Sequence, residues 1–306
     1  MLLVVNPHAA GGRVGREWSA LEDVLRDLVP GLEAALTTGP GSATTLVGDA
    51  VRGGETEVGV VGGDGSVNEA LNGLVRDDAL ADPRARLTII PVGSGTDYAK
   101  TLGLPRGLEH AADILASSTY LPVDVGRCEC VDFQGISQTR YFANILEAGS
   151  GGEVVERVNR SAKPLGGRMA FLMATLITLL SYRNKPIRVD VDGTTFAEGS
   201  MNGVIVANGQ YFGSGLRPAP GARLDDGLLD VVIFGDVSVG EAVGSLGKLR
   251  RGEHLSHPKV SFTRGKSVRA SSDDTVLAEM DGELVGTLPM KASLLPGFLP
   301  VRVLAD

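Results

Sequence analysis

As far as about residue 120, short apolar runs alternate with segments in which apolar residues recur at helical spacing. Short apolar, β-branched runs predict strands at residues 2–5, 34–37, 57–61 and 87–90. Apolar positions at helical spacing predict helices between them, at 18–28, 42–52 and 67–74. Strands and helices that alternate in this way are typical of an open, mostly parallel sheet with helices on both faces.

From about residue 122 the strand signals lie closer together and glycine-rich turns separate most of them. They occur at 141–146, 187–191, 203–207, 229–234, 260–263, 268–271 and 276–279. One helix is predicted among them, at 169–182, and a last strand signal at 300–304 is compatible with a return to the first domain. The predicted fold class is therefore α/β + β. An N-terminal open α/β sheet domain (1–122 plus the tail 296–306) precedes a C-terminal antiparallel β-sandwich domain (123–295), with Leu121 and Pro122 as the hinge.

Composition and charge restrict the possible functions. The chain has 306 residues and a formal net charge of −8, and an acidic chain is a poor nucleic-acid binder. The longest apolar stretch, 171–180, is far shorter than the ~20 residues that span a bilayer, so we expect a core helix or one wall of a lipid site. Residues 1–7 carry no basic leader and are expected to form a strand, not a signal peptide. Cys128 and Cys130 suit neither a disulfide nor a zinc site, which favours a cytoplasmic location.

The first candidate site is the glycine-rich loop after the third predicted strand. Gly62, Gly63 and Gly65 have no Cβ, so the backbone there can turn tightly and approach a ligand closely. Ser66 is placed to cap the following helix, whose free N–H groups favour an anion. Asp64 puts a carboxylate into this loop, which suggests work with a cation or a proton. A strand-to-helix turn with no ligand is the alternative interpretation.

Two further loops follow predicted strands of the same sheet. The segment from Asn6 to Arg13 contains two adjacent glycines, and the Arg13 guanidinium could bind a phosphate. The segment from Pro91 to Lys100 supplies hydroxyls, two glycines and Asp97, which is placed to cap a helix. Each loop alone could be an ordinary turn. Together with the first loop, they predict a nucleotide-binding site.

The loop 61–69 resembles the signature of the lipid kinase superfamily, which contains the diacylglycerol kinases, the sphingosine kinases and the soluble bacterial diacylglycerol kinase-like proteins. Asn6-Pro7 with Gly11-Gly12, and the segment 91–99, are similar to the family's other two N-terminal motifs and occur in the same order. The segment 208–231 and Asp281-Gly282-Glu283 resemble two later motifs. The resemblance therefore covers nearly the whole chain and implies a fold like that of NAD kinases and diacylglycerol kinases.

The resemblance implies roles for individual residues. Asp64, Asp281 and Glu283 would be catalytic: Asp64 would bind Mg²⁺ or assist proton transfer, and the other two would act on the lipid hydroxyl, one as general base and the other positioning it or serving Mg²⁺. A second, structural Mg²⁺ would use Asp226 and the main-chain oxygens of Arg223 and Leu228. The residues expected to hold ATP are Asn6, Pro7, Gly11, Gly12, Arg13, Thr38, Gly62, Gly63, Asp64, Gly65, Ser66, Asn68, Glu69, Gly93 and Ser94.

The sequence departs from the family pattern at several positions. Ser66 and Ser94 stand where threonine is usual, and Thr96 stands where the family usually has asparagine. The segment 149–152, Gly-Ser-Gly-Gly, stands where the family often shows Gly-Phe-Asp. That segment belongs to the lipid side, so the identity of the acceptor is the least determined part of the resemblance.

The resulting hypothesis is an ATP- and Mg²⁺-dependent lipid kinase that acts on diacylglycerol or a related lipid. A NAD kinase is the first alternative, and a catalytically silent nucleotide- or lipid-binding regulator of the same fold is the second. Arg157, Arg160, Lys163 and Arg168 precede the apolar stretch and suggest transient contact with an anionic membrane surface. The expected partner is thus a diacylglycerol-like lipid, and no nucleic-acid partner is expected. A homodimer is compatible with the sequence.

Overall fold

A computed structural model of the chain describes residues 1–93, 95–160 and 167–305, without the side chains of 167–169. Ser94 and Lys163 lie outside the described residues, as does the side chain of Arg168. The chain forms two compact units: unit 1 is Met1–Val125 with Leu295–Asp306, and unit 2 is Gly126–Leu294. Unit 1 is an α/β domain and unit 2 is mainly antiparallel β-structure, so the predicted fold class is confirmed.

Unit 1 alternates strands and helices as the sequence predicts. Its elements are β1 (Leu2–Val5), α1 (Ala9–Leu28), β2 (Glu33–Leu36), α2 (Ser42–Arg52), β3 (Glu57–Gly62), α3 (Asp64–Leu74), β4 (Val75–Arg76), β5 (Ala79–Leu80), β6 (Arg86–Pro91), α4 (Asp97–Thr101), a 3₁₀ turn (Leu108–His110), α5 (Ala111–Ala116) and the start of β7 (Thr119–Val131). Buried side chains of β1, β3, β6, α1 and α5 form one core.

Strands β6, β3, β1 and β2 lie side by side in this order and are parallel. Val5 of β1 is paired with Val61 of β3, and Val301, near the C-terminus, pairs in parallel with Leu87 of β6. Because the strands are parallel, their carboxyl ends meet at one edge of the sheet, where open α/β sheets bind ligands. The three glycine-containing loops follow β1, β3 and β6 at that edge.

Unit 2 is built from antiparallel strands with three helices. Its elements are the rest of β7, β8 (Ser137–Phe142), β9 (Ile145–Gly149), α6 (Ser150–Arg160), α7 (Gly167–Ser181), β10 (Lys185–Val191), β11 (Thr194–Met201), β12 (Gly203–Ala207), β13 (Leu229–Phe234), α8 (Val239–Arg251), a 3₁₀ turn (His254–Ser256), β14 (Val260–Gly265), β15 (Ser267–Ser271), β16 (Leu277–Met280) and β17 (Glu283–Val303). The end of β17 belongs to unit 1.

Two runs of strands enclose the core of unit 2. The first run has the order β14, β13, β12, β9, β16 and β17. The second run starts at β17 and continues through β15 to β10. Buried residues of both runs and of β7 and β8, such as Phe142, Leu146, Val189 and Val231, form the main core. A smaller cluster with Ile145 and Ile205 lies on the other face of β9 and β12.

Some element predictions were wrong. The strand expected at 141–146 is interrupted at Ala143 and Asn144, which separate β8 from β9. The expected hinge at Leu121 and Pro122 lies inside β7, not in a loop.

Helices α6 and α8 were not predicted. Helix α6 begins with Ser-Gly-Gly, and α8 buries no residue, so neither shows a strong apolar stripe. A usable signal was nevertheless present for α8: Ser238 and Glu241 form a capping box, which can be read from sequence.

Helix α7 is not the core helix that its apolar sequence favours. Ala174 and Thr178 are buried, whereas Leu172, Met173 and Leu180 are exposed. No helix in the described part of the chain combines the length and the apolar character needed to cross a membrane.

Candidate active site

The three glycines at the junction of β3 and α3 differ in their surroundings: two are tightly packed and one lies beside open space. Gly63 is the N-cap of α3, which begins at Asp64. A Cβ on Gly62 would overlap the Ser66 side chain, and a Cβ on Gly63 would lie 2.5 Å from the carbonyl oxygen of Gly95. These two glycines are therefore required by close packing. No atom lies within 4 Å of the position that a Cβ on Gly65 would take, so there is open space beside that residue.

Ser66 does not cap α3, contrary to the prediction. It is the third residue of the helix, and its hydroxyl accepts a hydrogen bond of 3.3 Å from Asn6 Nδ2. The main-chain N–H of Asn6 donates to the carbonyl oxygen of Val61 at 2.9 Å. Asn6 therefore ties the end of β1 to the start of α3.

Asp64 connects the loop after β3 to the loop after β6. Its N–H donates to the Gly95 carbonyl at 3.0 Å, and its carboxylate accepts the N–H groups of Asp97 at 2.9 Å and Tyr98 at 3.1 Å. Asp64 thus supplies the side-chain acceptor at the start of α4, where Thr96 is the N-cap and makes no side-chain bond. The expectation that Asp97 caps this helix was wrong.

Burial raises the pKa of Asp64 to about 6, because the charged form loses its hydration. The N–H groups of Asp97 and Tyr98 lower this pKa, and the negative charge of Asp97 raises it. Each carboxylate oxygen of Asp64 accepts one described N–H and has two lone pairs, so it retains the capacity for a cation or a proton.

The segment after β1 has an unusual backbone, because the start of α1 is interrupted by a kink with non-helical dihedral angles at residues 10–12. Ala10, Gly11 and Gly12 all have positive φ angles, of 52°, 66° and 82°. Gly93 also has a positive φ of 134°, and a Cβ on it would lie 4.0 Å from the main-chain nitrogen of Ala10. The loops after β1 and β6 are therefore close neighbours within unit 1. The structure brings together the loop segments that the sequence predicts to bind phosphates.

Other residues expected to contact ATP have partners within the protein. Arg13 Nε lies 2.8 Å from Glu17 in an exposed ion pair one helical turn away. The N–H of Thr38 donates to the Ser42 hydroxyl at 3.2 Å. Their contacts with ATP stay predictions.

Glu69 and Asn68 also have structural roles. Glu69 Oε2 accepts the N–H of Ala43 at 2.9 Å, which satisfies a donor in the first turn of α2. Asn68 is buried, and its side-chain oxygen accepts a hydrogen bond of 3.2 Å from Asn72. Their contacts with ATP likewise stay predictions.

The acidic turn of unit 2 lies between β16 and β17, and Asp281 organises it. Asp281 has a φ of 49° in the left-handed region. Its carboxylate accepts the N–H groups of Ala143, Asn144 and Ile145 at 2.7, 3.0 and 2.9 Å. These three donors stabilise an ionised carboxylate and occupy lone pairs on both oxygens. They also explain why the backbone breaks between β8 and β9.

Glu283, unlike Asp281, has a partly exposed carboxylate. Its side chain is 41% exposed, and Oε2 lies 3.1 Å from Arg140 Nη2. The Gly282 N–H between the two acidic residues donates to Glu279 Oε2 at 2.8 Å. The turn is therefore fixed from both sides, while the Glu283 side chain remains partly exposed.

At the predicted structural Mg²⁺ site, both oxygens of the Asp226 carboxylate have partners within the protein. Asp226 Oδ2 lies 2.5 Å from Arg264 Nη2, and its Oδ1 accepts the N–H of Leu228 at 3.1 Å. Arg264 Nε also lies 3.0 Å from Asp230 Oδ2, and the Arg223 side chain pairs with Asp225. The guanidinium of Arg264 thus contacts both carboxylates of this acidic pair and supplies one positive charge.

No group of three or more His, Cys, Asp or Glu side chains in the described ranges could hold a metal ion. The magnesium site at Asp226 stays a prediction.

Two acidic residues of unit 2 were missed by sequence reasoning. Glu147 and Glu279 are each only 4% exposed and lie opposite each other in the pairing of β9 with β16. Burial raises the pKa of Glu147 to about 7. Burial and the charge of Glu147 raise the pKa of Glu279 well above its ordinary value. The available signal was a single glutamate inside each of two apolar strand segments.

Comparison with known families accounts for both units. The family described as "Diacylglycerol kinase catalytic domain" matches residues 1–128. The family described as "YegS C-terminal NAD kinase beta sandwich-like domain" matches residues 144–303, which is more than half of the chain.

Individual relatives agree with this assignment. The diacylglycerol kinase of Mycobacterium tuberculosis (strain ATCC 25618 / H37Rv) is 32% identical over 260 residues, which cover 85% of this chain and 80% of that protein. The diacylglycerol kinase of Bacillus subtilis (strain 168) is 29% identical over 255 residues, 81% of this chain and 80% of the relative. A crystal structure of a diacylglycerol kinase from Bacillus anthracis str. Sterne shares the fold, with a TM-score of 0.72, 22% identity, and coverage of 99% of this chain and 96% of that one. This chain belongs to the diacylglycerol kinase family of lipid kinases.

Proposed function

We propose that the chain is an ATP- and Mg²⁺-dependent kinase that transfers the γ-phosphate to a hydroxyl group of diacylglycerol or a related lipid. The observation that carries the proposal is the convergence, at one edge of the unit 1 sheet, of three glycine-containing loops with the buried carboxylate of Asp64. Phosphoryl transfer depends mainly on positioning and charge neutralisation, and such an edge can supply both. The names of the relatives support diacylglycerol as the acceptor.

The loops would hold the triphosphate through main-chain N–H groups. Open space beside Gly65 lies at the first turn of α3, where unpaired N–H groups favour an anion. The consecutive positive φ angles at Ala10, Gly11 and Gly12 give the neighbouring loop a backbone shape that most residues avoid. Ligand binding is a common reason to retain such strain.

Asp64 would hold the Mg²⁺ that accompanies ATP, because its carboxylate keeps lone pairs beside those used by Asp97 and Tyr98. When bound, the ion neutralises charge on the phosphates. The contacts of Asp64 with α4 hold this carboxylate in one orientation before a ligand arrives.

Glu283 is our candidate for the general base, and Asp281 for the residue that positions it. Three main-chain N–H groups engage the Asp281 carboxylate, so the capacity of that side chain is directed towards the protein. The carboxylate of Glu283 is partly exposed and has one described partner, Arg140. It would accept the proton of the lipid hydroxyl.

Contact with a membrane surface is part of the proposal, because a lipid acceptor resides there. The exposed apolar side chains of Leu172, Met173, Ile177 and Leu180 on α7 support such a contact. Arg157 and Arg160, on the neighbouring helix α6, would contact anionic headgroups, although Arg160 is also paired with Glu156 at 2.7 Å.

The test of the function is phosphate transfer from labelled ATP with Mg²⁺. We expect label in the lipid fraction when dioctanoylglycerol is offered in mixed micelles, and none when Mg²⁺ is removed by EDTA. NAD is offered in a parallel reaction. Label in NAD alone would indicate a NAD kinase, and stabilisation by Mg-ATP without any transfer would indicate a silent regulator.

The two acidic residues of the turn should respond differently to substitution. Glu283→Gln should lower kcat by about 10²–10⁴-fold, the usual contribution of a general base, with little change in the free energy of unfolding. Asp281→Asn should lower the free energy of unfolding of the protein, because one carboxylate oxygen that accepts N–H groups is replaced by an NH₂. Glu253→Gln, which changes an exposed glutamate paired with an arginine, is the control. A normal kcat for Glu283→Gln would exclude its role as the base.

Alanine substitutions at two nearby glycines should distinguish space that a ligand occupies from space that the folded protein needs for close packing. Gly65→Ala should leave the Tm unchanged and raise the KM for ATP by about tenfold or more, because its methyl group enters space left for phosphate. Gly63→Ala should lower the Tm, because the methyl group meets the Gly95 carbonyl. An unchanged KM for Gly65→Ala would show that ATP does not use this space.

The raised pKa of Asp64 makes a prediction about pH. A carboxyl with a folded-state pKa of about 6 stabilises the protein fully below its unfolded pKa of 3.8, and this contribution is lost as pH rises through 6. The stability of the wild type relative to Asp64→Asn should therefore fall by up to about 3 kcal/mol between pH 4 and pH 7. Denaturant unfolding without Mg²⁺ at pH 4, 5.5 and 7 measures this difference, and a difference that does not change with pH would contradict it.

A further inference from the structure

Arg140 on β8 contacts the glutamate that is our candidate for the general base. Its Nη2 lies 3.1 Å from Glu283 Oε2, and the two side chains are 32% and 41% exposed. The two residues are 143 positions apart in the sequence. The contact therefore joins β8 to the acidic turn between β16 and β17, and it is a product of the fold and not of local sequence.

A second side-chain contact joins the same two strands. Gln138 Nε2 donates to the carbonyl oxygen of Val285 at 2.9 Å. The two contacts are two residues apart on each strand, and the numbering rises along β8 where it falls along β17. Side chains two residues apart share one face of a strand, so the contacts form successive links between strands that run in opposite directions. Arg140 is therefore oriented by the position of β8, unlike an isolated surface ion pair, which usually contributes little.

The Arg140 side chain starts over the main core of unit 2. In the pairing of β7 with β8, Arg140 is opposite Cys128, a buried member of that core. Cross-strand partners share a face of the sheet, and a long arginine stem can cover apolar surface while its charged end reaches water. The guanidinium has five N–H donors and makes one hydrogen bond with the described residues. Its other donors are thus available to an acceptor that arrives beside Glu283.

The proposed reaction changes the charge of the group that Arg140 contacts. Glu283 takes the proton of the lipid hydroxyl, and the hydroxyl oxygen forms a bond to the γ-phosphorus. The bond from that phosphorus to the bridging oxygen of ATP breaks, and ADP leaves with the electron pair. Glu283 is then neutral, whereas the lipid carries an anionic phosphate ester. The guanidinium therefore loses an anionic partner as another anionic group forms beside it.

We propose that Arg140 is a further catalytic residue, which orients Glu283 before the transfer and donates hydrogen bonds to the transferred phosphoryl group during and after it. A guanidinium suits both partners, because its planar fork matches carboxylate and phosphate oxygens. The ligand class that Arg140 takes is a lipid phosphate monoester, the product of the reaction. The inference rests on the proposed lipid kinase function and adds to it a positive charge that the β domain itself supplies.

A double-mutant cycle without nucleotide tests this exchange of partners. The ligand is 1,2-dihexanoylglycerol 3-phosphate, and its affinity is measured for the wild type, Glu283→Gln, Arg140→Met and the double variant. Glu283→Gln imitates the neutral, protonated glutamate, so we expect it to bind this ligand about tenfold more tightly than the wild type. In the Arg140→Met background, the same Glu283→Gln substitution should improve binding by about twofold or less.

Arg127→Met is the matched control. Arg127 pairs with Glu129 on the neighbouring strand β7 and precedes the core residue Cys128, so its side chain lies on the opposite face of the sheet. The tenfold gain from Glu283→Gln should persist in this background. If Arg140→Met does not fold, Arg140→Lys takes its place, because it keeps the charge, loses the fork and should show a smaller gain. A gain that is absent in the wild-type background, or equally large in the Arg140 variant, would overturn the inference.

Turnover on dioctanoylglycerol separates the inference from the proposed function. Arg140→Met should lower kcat by about 10²–10³-fold, the usual effect of removing a donor aimed at developing charge, with the KM for ATP unchanged. Guanidinium ions at millimolar concentration should restore part of the kcat of Arg140→Ala but not that of Glu283→Gln, a rescue that a merely structural role would not show. Wild-type turnover with a normal kcat in the Arg140 variants contradicts this inference alone. Absence of turnover on any lipid contradicts the proposed function and, with it, this inference.

Discussion

Both acidic loops, at Asp64 and at Asp281, depend on an aspartate carboxylate that accepts hydrogen bonds from main-chain N–H groups. Asp64 accepts two such donors from the start of α4, and Asp281 accepts three from the break between β8 and β9. In each case the donors come from a segment distant in sequence. A carboxylate satisfies several N–H groups that a buried loop would otherwise leave unpaired, and charge-assisted hydrogen bonds are stronger than neutral ones. Each loop is thereby held in a backbone shape that its own sequence would not maintain.

The same interaction distinguishes acidic residues that are bound to the backbone from acidic residues that stay accessible. The carboxylate of Asp281 is directed to the backbone, whereas that of Glu283, two residues later, is partly exposed. Asp64 combines both features, because it is buried against two donors and has a raised pKa. A motif with two acidic residues can therefore contain one that is bound to the backbone and another that is accessible, and hydrogen bonding distinguishes them.

The sequence was informative wherever structure is decided locally. The strand β1, the helix α2 and the glycine loop after β3 follow from apolar periodicity and from residue types whose conformational preferences are short-range. The capping role expected for Asp97 was wrong because the acceptor at α4 comes from Asp64, more than thirty positions away in the chain. The capping role expected for Ser66 was wrong because α3 begins two residues before it, at Asp64. Sequence spacing shows which nearby residue could cap a helix, but it does not show that a carboxylate distant in sequence accepts the N–H groups of the first turn instead.

The buried glutamates show a second limit of sequence reasoning. A lone Glu147 among apolar residues could belong to an edge, a bulge or an interior, and the choice depends on strand register. The pairing of β9 with β16 determines that Glu279 faces it. The interruption between β8 and β9 was hidden for a similar reason, because Asp281 lies more than one hundred residues from the backbone that it holds.

Arg264 gives unit 2 a property that a bound ion could not give. Its guanidinium contacts both Asp226 and Asp230, where the family resemblance suggests a magnesium ion. An arginine is covalently attached and stays charged at any physiological pH, so chelators and a low magnesium concentration do not remove it. Part of the charge balance of this acidic loop is therefore encoded in the polypeptide itself. This part of the β domain therefore keeps a positive charge beside its carboxylates whatever the concentration of free metal ions.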